Sequence, residues 1–219
     1  MPRTRAVGLP DTASQENTGL RTAYIVEEAL PGGFLEQLDV LRKKLPLDLS
    51  RPTCPRRFLS EWEGNPDDPR ERHKENGWVS HGIDTAMKGW GLEEEVRVMP
   101  WFRFLEYSPF HQGMSKHTDG SNVHPITGQY SVATMLIYLS TCPENTSGTT
   151  LFVKGRKLTK REKRKGLPAF EDTVLESFPC KRNTALIFPH SWLHRGDPVG
   201  PVSKIALRCE LLLGDLGTR

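Results

Sequence analysis

From Trp101 onward, apolar residues either alternate with polar ones or gather in short β-branched runs, and Gly, Pro or Asn interrupts each run before it reaches helical length. Trp101 to Tyr107 alternates in part, Tyr130 to Leu139 is a long apolar run, and Thr149 to Val153 is a short one. Val174 to Phe178, Thr184 to Phe188 and Ser203 to Leu213 continue the series. This spacing predicts the strands of a sandwich or jelly roll, mainly β with supporting helices, and not a helical bundle.

Upstream the period changes. Thr22 to Val26 reads as a short strand and Pro31-Gly32-Gly33 as a break. Phe34, Leu35, Leu38, Leu41 and Leu45 then recur at three- and four-residue steps, which predicts an amphipathic helix lying on a sheet. Thr85 to Val98 predicts a second helix, interrupted near Gly89 and Gly91. Met1 to Gly19 is polar and predicts a disordered segment. Ser50 to Val79, with Asn65-Pro66-Asp67-Asp68-Pro69-Arg70 at its centre, predicts an irregular excursion that serves either as a lid or as a solvated insertion. The expected organisation is a disordered segment over residues 1–19 and a single domain over 20–219, its core at 101–213.

Composition sharpens this only in places. The chain is 36% hydrophobic and 26% charged, as globular domains are, and its 17 Pro and 19 Gly fit a turn-rich β fold. A net charge of +3 is too small to indicate a nucleic-acid partner. Eight Lys or Arg fall between Lys154 and Lys165 without interleaved aromatics, so this run reads as a solvated loop, with a nuclear-localisation signal or a patch for an acidic partner as the sharper readings. Cys54, Cys142, Cys180 and Cys209 form no C-x-x-C pair and so predict neither a zinc knuckle nor a dense disulfide framework. No run approaches the roughly 20 apolar residues of a membrane span, and the N-terminus lacks a signal peptide's apolar core. The expectation is a soluble protein of the cytoplasm or nucleus with no membrane association.

The candidate chemistry lies in His117-Thr118-Asp119 and in His194, within His190-Ser191-Trp192-Leu193-His194-Arg195-Gly196. In an extended segment the His and Asp of H-x-D point the same way. Two imidazoles and one carboxylate are the ligand set of an open iron(II) face, which leaves positions free for a chelating co-substrate and O2. One H-x-D among 7 His is weak evidence by itself, so its surroundings decide. Tyr107 precedes His117 by ten residues, Tyr138 lies between the ligand segments, and Lys204 follows His194 by ten; these are candidate anion contacts. Arg208 shares the strand face of Lys204 and has three readings: substrate contact, charge neutralisation, or pairing with a core carboxylate. His190 follows Pro189 in a turn pattern and reads as a supporting or surface residue, not a ligand, while Thr134 and Thr150 have the residue type to hydrogen-bond in the pocket but read more simply as strand formers.

Taken together, Phe104-Leu105-Glu106-Tyr107-Ser108-Pro109, Lys116-His117-Thr118-Asp119-Gly120, Met135 to Ser140, Ser147-Gly148-Thr149-Thr150-Leu151-Phe152, and His194-Arg195-Gly196-Asp197-Pro198-Val199 leading to Lys204 resemble the prolyl 4-hydroxylase-like group of iron(II)- and 2-oxoglutarate-dependent oxygenases. The resemblance spans about half the chain, Trp101 to Leu213. It implies a double-stranded β-helix (jelly roll) in which His117, Asp119 and His194 bind Fe(II). Lys204 and Tyr138 would hold the distal carboxylate of 2-oxoglutarate, with Tyr107 lining its pocket. The implied reaction is hydroxylation of an unactivated C–H bond with O2, releasing succinate and CO2. A prolyl or related residue of a protein or peptide is the first expected substrate, a small molecule such as a free amino acid or natural product the second, and a jelly-roll scaffold without turnover the competing class. A nucleic-acid substrate is disfavoured by charge. The oligomeric state is not legible.

Overall fold

The apolar runs pair with one another as antiparallel strands in two sheets, and strand parity decides what each face meets. The structure, a computed structural model, describes residues 1–8, 20–50, 55–61, 77–93, 95–144, 146–155, 160–165 and 171–214. Its strands are β1 (Arg3–Val7), β2 (Ala23–Glu27), β3 (Arg56–Ser60), β4 (Val96–Tyr107), β5 (Met114–His117), β6 (Ala133–Tyr138), β7 (Thr149–Val153), β8 (Thr173–Phe178), β9 (Thr184–Pro189), β10 (Leu193–Gly196) and β11 (Lys204–Leu213). Its helices are α1 (Gly32–Lys44), α2 (Trp78–Met87) and the short α3 (Lys160–Arg164). The major sheet runs β1-β2-β9-β6-β11-β4-β3 and the minor sheet β5-β10-β7-β8. The architecture is the jelly roll expected from the strand spacing.

On β6, Ala133, Met135 and Ile137 face one way, and on β11 Leu207, Cys209 and Leu211 do the same; Leu35, Leu38 and Leu41 of α1 and Val79, Ile83 and Met87 of α2 complete this core. The opposite face of the major sheet meets the minor sheet through Ala23, Leu136, Leu186 and Phe188 against Leu151 and Phe178, with Trp192 among them. A one-residue slip on β11 would exchange the aliphatic face for the charged one, so burial on both sides pins its register. Arg42, in the last turn of α1, reaches Glu106 of β4 at 2.9 Å, which fastens the helix to the sheet and suits the negative end of the helix dipole.

Several elements differ from expectation. Arg3–Val7, expected within a disordered segment, pairs along its length with β2, and Arg5 forms an ion pair with Glu176 of the other sheet. The second helix lies over Trp78–Met87, where Val79, Ile83 and Met87 recur at four-residue steps and are buried. Asp84 accepts the Val98 N–H at 2.8 Å, Gly91 turns the chain with φ +66°, and Val96 onward is already strand, so Thr85 to Val98 is not one helix. β3 forms within the stretch expected to be irregular because Leu59 enters the helix-side core. The stretch expected to be a lid or insertion falls largely outside the described residues, as do residues 9–19, residues 156–159 of the basic run, and Cys54. Within the basic run α3 replaces the expected loop, with Lys160, Arg161 and Arg164 exposed. Cys142, Cys180 and Cys209 are buried free thiols. No described helix is long and apolar enough to cross a membrane.

Candidate metal centre

β5 and β10 are paired so that His117 lies directly opposite His194. Gly113 makes that approach feasible: it enters β5 with φ +76°, and a Cβ there would collide with the Gly196 carbonyl. Asp119 lies just beyond β5 and is fixed by its own N–H, which donates to the His190 carbonyl at 3.0 Å. The ligand atoms of His117, Asp119 and His194 lie within 4.8 Å of one another. Strand pairing, not proximity in sequence, brings in the second histidine.

Both imidazoles are oriented by their own backbone neighbours. Nδ1 of His117 lies 2.9 Å from the Ser115 carbonyl, and Nδ1 of His194 lies 3.0 Å from that of Trp192. Nδ1–H donation to those carbonyls leaves each Nε2 lone pair for the site. The two Nε2 atoms sit 3.7 and 3.6 Å from the Asp119 oxygens. Burial brings the His194 imidazole down to about 4, outweighing the opposing pull of Asp119, so the ring is neutral at pH 7 as a metal ligand requires. Burial acts to raise the Asp119 carboxyl, but Arg208, His194 and Thr134 more than offset it, and the group is held below its ordinary range. Thr134 Oγ1 donates to Asp119 Oδ2 at 2.6 Å, and Arg208 Nη2 lies 3.0 Å from Oδ1. Two imidazole nitrogen donors and one ionised carboxylate fit an iron(II) ion on one face.

The three ligands open into a cavity of about 430 Å3, mouth included, which Tyr107, Thr149, Lys204 and Arg208 also line. At the far end Lys204, 4% exposed, donates to the Gly148 carbonyl at 2.7 Å. Its Nζ lies 5.7 and 5.6 Å from the ring centres of Tyr107 and Tyr138. A buried ammonium framed by aromatic faces suits the carboxylate of a chelating dianion whose other end is on the metal.

Six of the seven residues singled out from sequence separate into two groups, and Tyr138 stands apart from both. His117, Asp119 and His194, the three that could hold a metal, lie with Arg208, while Lys204 and Tyr107 line the cavity away from them. Of the three readings open to Arg208, the structure displays carboxylate pairing: besides Asp119 it lies 3.1 Å from Glu210. Tyr138 is fully buried and does not line the cavity; its hydroxyl donates to Thr149 Oγ1 at 2.8 Å, and burial raises the phenol's pKa. Of this hydrogen-bonded pair, Thr149 is the one that lines the cavity. Sequence reasoning missed Thr149 and Glu210; of the two readings open to Thr134, a pocket hydrogen bond and strand formation, the structure shows both. Parity on β11 was the available signal for Glu210, since residues 204, 206, 208 and 210 share a face.

No family model matches the chain, and no curated protein matches it. Solved structures do. A 2OG-Fe(II) oxygenase family oxidoreductase from Burkholderia pseudomallei aligns over 95% of this chain and 84% of its own, with a TM-score of 0.54 and 12% identity. HygX from Streptomyces hygroscopicus, with nickel, 2-oxoglutarate and hygromycin B bound, aligns over 88% and 82%, with a TM-score of 0.55 and 12% identity. A prolyl-4-hydroxylase from Pseudomonas putida aligns over 88% and 92%, with a TM-score of 0.52 and 12% identity. The chain has the jelly-roll fold of the 2OG-Fe(II) oxygenases.

Proposed function

We propose that this protein is an iron(II)- and 2-oxoglutarate-dependent dioxygenase that hydroxylates an unactivated C–H bond, the target being a prolyl or related residue of a protein or peptide. The observation that carries the reading is one cavity with an open three-ligand face at one end and the buried Lys204 ammonium at the other. Bound iron(II), with 2-oxoglutarate and O2, supplies the oxidation, yielding succinate, CO2 and a hydroxylated product.

The chain's own residues bind, orient and exclude water. Nε2 of His117 and of His194 and the Asp119 carboxylate hold the metal, while Ser115 and Trp192 carbonyls keep the imidazoles turned toward it. Lys204, with Tyr107 beside it, receives the distal carboxylate of 2-oxoglutarate. Tyr138 acts there through Thr149, which it holds at the cavity wall. Leu105, Leu136 and Phe188 supply the apolar walls that keep the pocket dry.

A protein or peptide substrate is favoured by the side on which the site opens. The His117 side chain is 30% exposed against 6% for His194, and His117 ends β5, the outermost strand of the minor sheet. Phe110 and Met114, close by in sequence, are exposed apolar residues of the kind that receive a chain. The second reading, a small-molecule substrate, draws on the likeness to HygX, whose structure holds hygromycin B. The experiment is an anaerobic titration with iron(II) and 2-oxoglutarate, read by the weak visible charge-transfer band. Admission of O2 and assay of succinate follow, with proline-containing peptides and then small metabolites tested for stimulation. Stimulation by metabolites and not by peptides selects the second reading; a folded, metal-loaded protein giving neither band nor succinate is a scaffold.

A further inference from the structure

Beneath the metal face lies a connected set of buried charges that the proposed reaction does not itself require. Arg208 and Arg103 are cross-strand partners on β11 and β4, so two guanidiniums lie side by side on the inner face of the major sheet. Glu210, 2% exposed, meets both: Oε1 accepts from Arg103 Nη2 at 2.7 Å and lies 3.1 Å from Arg208 Nη2. Its other oxygen lies 2.8 Å from His190 Nε2 and accepts from Ser131 Oγ at 3.4 Å. The same Arg208 nitrogen lies 3.0 Å from Asp119 Oδ1. Arg208 is thus shared between a metal ligand and a carboxylate that is not one, and the two carboxylates balance the two guanidiniums.

We propose that Glu210 is a positioning residue for the metal centre, holding Arg208 and Arg103 so that Asp119 keeps its donor strength and the pocket floor stays electrically neutral toward an incoming dication. The inference rests on the proposed metal site and deepens it. Without the Glu210 charge, Arg208 would draw on Asp119 alone, competing for its lone pairs, and two adjacent buried guanidiniums would repel a divalent ion. Outer partners of this kind change metal affinity by roughly 10- to 100-fold.

The test is calorimetric titration with Co(II), which is stable to air and reports its ligand set in its visible spectrum, on wild type, Glu210→Gln, Arg103→Gln and the double variant. Glu210→Gln should bind Co(II) at least roughly tenfold more weakly, and Arg103→Gln, which removes a positive charge, more tightly than wild type. The double variant restores the balance and should recover most of the loss, which a residue that merely packs would not do. Folding of each variant is checked by circular dichroism. Should Glu210→Gln fail to fold, the Arg103→Gln affinity decides, and an unchanged value there overturns the proposal. Glu210→Gln with wild-type affinity, or a double variant no tighter than Glu210→Gln, also overturns it while leaving the metal site standing. Wild type that takes up no Co(II) removes the metal site itself, and the inference with it.

Discussion

The two faces of β11 share one backbone, paired with β4 on one side and β6 on the other, and do opposite things. Leu207, Cys209 and Leu211 point into the helix-covered core, and β11 contributes only apolar side chains on that face. Lys204, Arg208 and Glu210 point into the sandwich and are largely buried as well, and the first two line the cavity. Burying aliphatic surface is favourable wherever it occurs, at about 25 cal/mol per Å2, whereas a buried charge is tolerated only with partners. The aliphatic face holds the strand in place, and the charged face uses that fixed backbone to set Lys204 and Arg208 at opposite ends of one cavity.

The sharpest way to break the comparison is on the charged side. His117→Ala should abolish stoichiometric iron(II) binding and reduce succinate formation to background while the metal-free protein melts within a few degrees of wild type, because His117 is partly exposed. Retained turnover would sink the metal assignment. The converse change is Leu207→Ala, which removes a fully buried side chain from the aliphatic face and should cost about 2–5 kcal/mol in urea denaturation. Metal affinity of the fraction still folded should be unaltered, and a parallel loss of affinity would mean that the two faces are not separable.

Lys204→Ala comes next. It should raise the apparent KM for 2-oxoglutarate by roughly 100-fold, since it removes the cation from a buried anion contact, with iron(II) affinity preserved. Unchanged turnover at low 2-oxoglutarate would remove Lys204 from that role. The smallest expected effect sharpens the contrast through pH. His194 has an imidazole pKa of about 4 in the metal-free fold against 6.5 for the free side chain, so below 6.5 the unfolded chain binds the extra proton and stability falls with pH. Between about pH 6.5 and 4.5 this amounts to about 2 kcal/mol, fully regained above that window. Comparing denaturation of wild type and His194→Gln without metal checks it: a slope that survives the substitution belongs to other groups.

Much of this was legible residue by residue. The long apolar run became β6, the leucine spacing became α1, and alternation after Ser203 foretold that Lys204 and Arg208 would share a face. Elements that bury little were not legible. Met114–His117 carries no hydrophobic pattern because β5 is an exposed edge strand, and it becomes a strand by pairing with β10. Arg3–Val7 alternates charged and small residues, and pairing with β2, the contact with Glu176 and burial of Val7 between the sheets give it a place. The role of Arg208 likewise depended on where Asp119 came to rest, beyond the end of β5 and tied to His190.

By itself the sequence determined which residue types were available for chemistry and which strand faces were apolar, because side-chain period and ligand identity are local properties. Tertiary structure decided that His117 stands opposite His194, that Arg208 serves Asp119, and that Thr149, not Tyr138, presents a hydroxyl to the cavity. These are matters of register between strands distant in the chain: that of β11 is fixed by what both faces of the major sheet bury together, and that of the exposed β5 by its backbone pairing with β10.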